Sequence, residues 1–209
     1  SGEPVVASVS VLETSRIAPL DRRIMSALLE AGFAGVETTT RATRAVWTRY
    51  GQIARTRDRA TLGSGCPAVV ALVERYHPDA LELLAPLVSY AEAHARLIKA
   101  RCRQRGLPAV RVVHIAPTAA VMGEVRHSGL PTSLDAAVTL GEVRRWLKSG
   151  RPKRASAGDA RVRVDEDLLP IEWVRHILPI YGIHESHEFL KRIPRNIARE
   201  TIIEMTACR

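Results

Sequence analysis

Short segments rich in valine and isoleucine alternate with amphipathic stretches along most of the chain. Residues 4–12 place β-branched side chains at nearly every second position, and residues 109–115 form the clearest candidate for a buried strand. Four shorter segments of the same kind predict further strands: 35–38, 61–62, 136–140 and 201–205.

Apolar residues recur at helical spacing between these strands. In the stretch 19–31, for example, Ile24 and Leu28 share one face of the predicted helix. The same spacing predicts the other helices: 41–55, 67–76, 91–104, 141–148, 171–181 and 186–193. Thr139 is positioned to cap the helix at 141–148, and residues 81–88 predict a loop. The alternation of strands and helices predicts an α/β fold of mostly parallel sheet flanked by helices, with its chemistry at the carboxyl ends of the strands.

The segment 149–167 differs from the rest of the chain. Glycine, proline, serine, lysine, arginine and aspartate dominate it, which predicts a flexible linker or an insertion. We expect residues 1–209 to form one domain that is a fragment of a longer protein, with lobe boundaries that the pattern does not fix.

Composition narrows the classes of partner. The net charge of the 209-residue chain is +9, but its arginines are scattered and only 4% of its residues are aromatic, so no nucleic-acid binding is expected. A basic face for an acidic protein partner stays open. No segment resembles a signal peptide or a membrane span, so the expectation is a cytoplasmic protein without membrane association.

The candidate chemistry lies where predicted strands end. Cys66 sits in a glycine-rich turn after the strand at 61–62 and directly before Pro67, at the start of a helix. The free N–H groups of a helix amino end favour a thiolate there, although a small buried hydrophobic residue is the competing interpretation. Thr118 and Cys208 also follow predicted strands, so the parallel sheet is expected to bring these strand ends together. The two thiols suggest a metal or cluster site.

Three motifs of the chain resemble, in order, those of the C-terminal domain of the iron-only (di-iron) hydrogenases. Residues 63–68 (Gly-Ser-Gly-Cys-Pro-Ala) resemble Thr-Ser-Cys-Cys-Pro, and residues 115–124 resemble Met-Pro-Cys-x-x-Lys-x-x-Glu. Residues 204–208 (Glu-Met-Thr-Ala-Cys) resemble the start of Glu-x-Met-Ala-Cys-x-x-Gly-Cys. The chain is identified on these motifs as a divergent member of the family. The resemblance implies two lobes with a cleft between them at the strand carboxyl ends.

The resemblance also implies the ligands of a cofactor. The family holds a 4Fe–4S cluster with four cysteines, one of which bridges to a di-iron centre. Cys66 and Cys208 fall on ligand positions, Thr118 falls on the position of a lost ligand cysteine, and the bridging cysteine is expected beyond Arg209. Threonine is a poor iron ligand beside thiolate. The expectation is a 4Fe–4S cluster in the full-length protein and no di-iron centre. The absence of the cofactor from this piece alone is the open alternative.

Positions that carry hydrogen chemistry in the family are replaced. Gly65 stands where the family has the cysteine that passes protons, and Val121 stands where it has a lysine that contacts a cyanide ligand. No carboxylate lies between Glu37 and Asp58, a region from which the family draws acids. Ser89 and Glu124 match the family but also suit a capping serine and a surface acid. No catalytic residue is therefore assigned, and H2 catalysis of the familiar kind is not expected.

Three functions compete on these observations. The first is an iron–sulfur domain that has lost H2 catalysis and serves redox or H2 sensing, signalling or electron transfer, joined to ferredoxin-type cluster domains or a downstream signalling domain of the same protein. The second is a cluster-free scaffold that keeps only the fold, and the third is an active hydrogenase with altered cluster ligation.

Histidines and the remaining cysteine have plainer interpretations. His94 is expected to pack or to form a hydrogen bond, and Cys102 to be a half-buried helix residue. His184 and His187 have the spacing of a metal pair but suit a solvated helix start better.

Overall fold

The computed structural model describes residues 3–10, 22–116, 119–127, 132–150, 161–163, 177–181, 188–192 and 202–206. The chain divides into two compact units. Unit 1 consists of Ser1–Ala42 and Ala91–Asp167, and unit 2 consists of Thr43–Tyr90 and Leu168–Arg209.

Unit 1 is built on a parallel sheet of five strands, whose bounds are β1 (Val5–Val9), β2 (Gly35–Thr38), β4 (Arg111–Ala116), β5 (Ala136–Thr139) and β6 (Arg161–Arg163). The strand order is β5-β4-β1-β2-β6, so β1 lies in the centre and pairs with β4 and β2 on either side. Four helices belong wholly or mainly to this unit: α1 (Arg22–Glu30), α4 (Tyr90–Gln104), α5 (Ala120–His127) and α6 (Leu140–Lys148).

Alternation along the strands divides the core of unit 1 between the two faces of the sheet. Val6 and Val112 face α4, where they pack with Ala95, Ile98 and Cys102. The intervening positions pack on the opposite face with residues of α1 and α6: Ala7, Val9, Met25, Leu28, Val36, Ile115 and Val143. Both faces of the central strands are therefore covered, as is typical of a parallel sheet.

Unit 2 has a second parallel sheet, formed by β3 (Thr61–Leu62), β7 (Ile177–Tyr181) and β8 (Ile202–Thr206) in the order β3-β8-β7. Most of α2 (Thr40–Thr56) lies in this unit, together with α3 (Pro67–Tyr76) and a 3-10 helix (Pro78–Leu83). Trp47 stacks on Tyr90 at an interplanar angle of 22° and meets Tyr50 edge-on, so aromatic rings fill part of this core.

The structure confirms the α/β class and most of the predicted elements, with four differences. Residues 171–181 were expected to be helical, but Ile177–Tyr181 is a strand; a short apolar run does not distinguish a buried strand from a helix, and Pro179 is tolerated because β7 is an edge strand. Within the stretch 149–167 that was expected to be a flexible linker or an insertion, Arg161–Arg163 forms β6 against β2. The sequence analysis also did not predict α5, whose pattern Gly123 interrupts, and it assigned to a loop the last residues of the 3-10 helix.

Candidate functional site

Cys66 occupies the turn between β3 and α3 in unit 2. Its backbone is extended (φ −105°, ψ 112°), and it is the N-cap residue of α3, with Pro67 as the first helical residue. The carbonyl of Cys66 accepts from the N–H groups of Val69 and Val70 at 3.0 and 3.1 Å. Its side chain makes no capping hydrogen bond, so the helix uses the backbone of this residue and not its sulfur.

Tyr50 on α2 fixes the turn that carries Cys66. Its buried hydroxyl accepts a hydrogen bond from the backbone N–H of Ser64 at 2.8 Å, and the Ser64 hydroxyl donates to the carbonyl of Leu87, also at 2.8 Å. On the other side of the turn, the N–H of Gly63 donates to the carbonyl of Ile203 on β8 at 2.8 Å. The turn is thus held by three neighbouring segments, which limits the positions that the Cys66 sulfur can take.

Cys66 is buried, with 9% of its surface exposed, and it lies at the amino end of a ten-residue helix. The partial positive charge of a helix amino end is a favourable environment for an anionic group, whereas burial disfavours one. The strand before Cys66 pairs in parallel with β8, the strand that precedes Cys208 in the sequence, with Leu62 opposite Ile203. Cys208 itself and Thr118, which follows β4 of unit 1, lie outside the described residues.

Unit 1 contains a buried polar cluster that the sequence analysis did not assign to a site. The Ser8 hydroxyl lies 2.7 Å from Nδ1 of His94 and 2.9 Å from Nδ1 of His114, and all three side chains are buried. Burial, together with the nearby charge of His94, lowers the pKa of His114 to about 3. Glu37 lies beside the cluster and pairs with Arg101. The sequence did contain a signal for this cluster: Ser8 on β1 and His114 on β4 are polar residues at core-facing positions of two neighbouring strands.

Glu92 on α4 is a buried acid of unit 1, and it anchors the chain before β5. Burial raises the pKa of this carboxyl, but hydrogen bonds from the side chains of Arg96 and Thr132 and from the N–H of Ser133 outweigh burial and lower the pKa overall. Glu92 therefore stays ionised and tied to its partners, which indicates a structural role.

The sequence profile of the iron-only hydrogenase large subunit, C-terminal domain, matches residues 5–163. The chain belongs to this family. A comparison with curated protein sequences finds no match.

Among solved structures, FeFe hydrogenases have a similar fold. One, a variant of an FeFe hydrogenase from Chlamydomonas reinhardtii, has a TM-score of 0.73 and 14% identity, over 99% of this chain and 77% of that one. Two other FeFe hydrogenase structures each have a TM-score of 0.72, with the same 14% identity and the same coverage. One concerns oxygen inactivation through the H-cluster 2Fe subcluster, and the other concerns stepwise H-cluster assembly. At this identity the similarity establishes the fold alone.

The structure describes the surroundings of the residues that the resemblance matches to positions with chemical roles in the family. Val121 on α5 packs against the α4-facing core of unit 1, so it contributes apolar surface. Gly65 is half-buried in the turn before Cys66, and α2 carries no carboxylate anywhere along its length. Ser89 is buried directly before α4, and Glu124 is half-buried on α5.

The donors that the structure describes do not by themselves fit a cluster held by four thiolates. Throughout the described ranges, no group of three or more histidine, cysteine, aspartate or glutamate side chains is arranged to hold a metal ion. Cys66 is the described cysteine of unit 2. Cys102, which was expected to be half-buried on its helix, is instead buried in the apolar core of unit 1. His184 and His187 lie outside the described residues. In the part of the chain that the structure describes, no helix combines the length and the apolar character that a membrane crossing needs.

Proposed function

We propose that this hydrogenase-family chain is an iron–sulfur domain that has lost H2 catalysis and serves redox or H2 sensing, signalling or electron transfer. The observation that carries the proposal is the setting of Cys66. Its turn is fixed by Tyr50, its backbone caps α3, and it lies at the positive end of that helix. Such a setting suits a thiolate ligand better than a residue needed only for packing.

Loss of catalysis is inferred from the residues at two positions, that of the proton-passing cysteine and that of the lysine that contacts a cyanide ligand in the family. Gly65 has no side chain with which to pass a proton, and Val121 is an apolar core residue that offers neither charge nor donor. The absence of carboxylates along α2 removes a further class of proton carrier.

The cofactor we propose is a 4Fe–4S cluster in the full-length protein, without a di-iron centre. Cys66 and Cys208 are its proposed ligands, and Thr118 marks the position of a lost ligand cysteine. Two thiolates are fewer than such a cluster takes, so its remaining ligands come from outside these two residues. The proposed partners are ferredoxin-type cluster domains or a downstream signalling domain of the same protein, in the cytoplasm.

One observation favours a second candidate, a scaffold that keeps the fold without a cluster. Cys66 is buried, and the described residues hold no set of three metal-binding side chains. A buried cysteine of this kind is also compatible with simple packing.

Iron and acid-labile sulfide analysis, with EPR, on anaerobically prepared full-length protein separates the two candidates. We expect about four iron atoms per chain in the wild type and loss of that iron in Cys66→Ser. Serine is a favoured N-cap residue, so this variant is expected to keep α3 while replacing the soft sulfur ligand by oxygen. Cys102→Ala is the matched control, because it removes a cysteine of the unit 1 core, and its iron content should equal that of the wild type.

Two outcomes contradict the proposal. An iron-free wild-type protein would favour the scaffold, and equal iron in wild type and Cys66→Ser would remove Cys66 from the ligand set. Hydrogen evolution from reduced methyl viologen, assayed after maturation with a di-iron centre, should be absent; measurable H2 would favour the active hydrogenase instead.

A further inference from the structure

A row of aligned residues crosses the sheet of unit 1. Ser8 on β1 is the register partner of Glu37 on β2 and of His114 on β4. Register partners on neighbouring parallel strands point to the same face of a sheet, and α4 covers this face with the side chains of His94 and Arg101. Ser8, His94 and His114 are each at most 3% exposed, so these three residues form a polar cluster sealed inside the unit.

The Ser8 hydroxyl imposes opposite tautomers on the two histidines. It is bonded to the same ring atom, Nδ1, of both His94 and His114. A hydroxyl has one proton, so it donates to one ring and accepts from the other. When both histidines are neutral, one Nδ1 must be bare and the other must carry the ring proton.

Glu37 selects which histidine has the bare Nδ1. Nε2 of His94 lies 3.9 Å from Oε2 of Glu37, and a proton on that nitrogen faces the carboxylate favourably. Arg101 pairs with the other oxygen, Oε1, and holds the carboxylate in place. The contact with Glu37 favours a proton on Nε2 of His94, in which case its Nδ1 accepts from Ser8 and His114 donates its Nδ1 proton to Ser8.

We propose that Ser8, His94 and His114 form a one-proton switch. Uptake of one proton gives His94 a second ring proton, at Nδ1, and reverses the hydrogen bonds: His94 donates to Ser8, and Ser8 donates to Nδ1 of His114. The ring proton of His114 moves to Nε2. The cluster gains one proton in total, and Ser8 keeps both hydrogen bonds in each state. The tautomer of His114 on β4 therefore depends on the charge of His94 on α4.

The charge gained belongs on His94. His94 faces the Glu37 carboxylate, whereas burial and the charge of His94 oppose protonation of His114. Arg101 shares that carboxylate, and Glu92, the acid of α4, is bound by Arg96, Thr132 and Ser133. The apolar core on the same face of the sheet contains Cys102 of α4, and Val121 and Val125 of α5 pack against it. The switch is independent of the proposed cluster.

Nitrogen-15 NMR of the histidine rings in the full chain tests this proposal. At about pH 7 we expect His94 to be protonated at Nε2 and His114 at Nδ1. On acidification, His94 should become doubly protonated while His114 changes from the Nδ1 to the Nε2 tautomer over the same pH range. A His114 ring that keeps its tautomer through the titration of His94 overturns the proposal, and so does the same tautomer in both rings at about pH 7.

Variants at Ser8 and Glu37 test the coupling itself. Ser8→Ala removes the hydroxyl that joins the rings, so the His114 tautomer should no longer follow the charge of His94. Ser8→Thr keeps the hydroxyl and is the matched control, in which the coupled change should persist. Glu37→Gln should move the coupled change to lower pH, because it removes the charge that His94 faces. Coupling that survives in Ser8→Ala excludes the serine as the link; if that variant does not fold, the wild type and Glu37→Gln still decide.

Discussion

At the residue scale, buried polar atoms of unit 2 differ in whether they have a partner. The Tyr50 hydroxyl satisfies the N–H of Ser64, whereas Thr61 Oγ1 and Trp47 Nε1 are buried without a hydrogen-bond partner in the part of the chain that the structure describes. Breaking a buried hydrogen bond leaves an unpaired group, while removing an unpaired group relieves a cost. Substitutions at Tyr50 and Thr61 should therefore have opposite effects on stability.

Tyr50→Phe is expected to lower the free energy of unfolding by about 1–3 kcal/mol. The variant keeps the ring that meets Trp47 and removes the hydroxyl. The Ser64 N–H then loses its acceptor in a buried position, and the Ser64 hydroxyl loses its 3.3 Å contact with the Tyr50 oxygen. Urea denaturation measures the change. Thr61→Val, of nearly equal size, is the matched control, and it should leave the free energy of unfolding unchanged or raise it by about 1 kcal/mol. Equal losses in both variants would contradict this account.

His114 makes the stability of unit 1 dependent on pH. Its pKa is about 3 in the folded chain and about 6.5 in an unfolded one, so the unfolded chain binds more protons between these values. The stabilisation is therefore complete above about pH 6.5 and is lost as the pH falls towards 3, by up to about 1.4 kcal/mol per pH unit. Urea denaturation of the wild type at several pH values in this window measures the slope.

His114→Asn provides the comparison for that slope. Its amide N–H2 takes the place of the Nδ1 donor to Ser8, and asparagine does not titrate in this range. The free energy of unfolding of this variant should depend less steeply on pH than that of the wild type, by the contribution of up to one bound proton. A slope equal to that of the wild type would mean that another group causes the pH dependence.

At the element scale, the pattern predicted elements well where local chemistry and packing agree. α3 begins and ends at the predicted residues, because Pro67 favours a helix start and Pro78 follows its end. α6 begins at Leu140, one residue before the predicted start, and Thr139 is its N-cap as predicted. A capping box completes this helix start: Glu142 N–H donates to Thr139 Oγ1 at 3.2 Å, and Thr139 N–H donates to the Glu142 carboxylate at 2.7 Å.

Thr139→Ala is expected to destabilise the chain by about 1 kcal/mol. The substitution leaves the N–H of Glu142 without its side-chain acceptor at the start of α6. Thr139→Ser keeps the hydroxyl and should stay within a few tenths of a kcal/mol of the wild type. Thermal or urea denaturation of the three proteins measures the difference; an alanine variant as stable as the serine variant would show that the capping box contributes nothing.

At the scale of the whole molecule, the buried histidines are unevenly distributed between the units. His94 and His114 lie in the core of unit 1, whereas the histidine that the structure describes in unit 2, His77, is half-buried at the end of α3. Because a second proton cannot be placed on the buried pair without cost, acid should weaken unit 1 more than unit 2.

Pulsed hydrogen exchange with mass spectrometry can follow each unit separately. As the pH falls from about 7 to about 4, amides of β1 and β4 should lose protection before those of α3. The His114→Asn variant should narrow the difference between the units. Loss of protection in α3 first would contradict the expected order.

The sequence by itself determined the α/β class, most strands and helices, the family, and the turn that presents Cys66, because these depend on local periodicity, turn residues and short motifs. It also indicated that His94 packs or forms a hydrogen bond, which the bond to Ser8 confirms. Tertiary structure decided what depends on partners distant in the chain. β7 and β6 are strands because β8 and β2 pair with them, and Val121 is a core residue because α5 packs on α4. The Ser8, His94 and His114 cluster exists only because register and helix packing bring together residues that are 86 and 106 positions apart, a distance that no local pattern encodes.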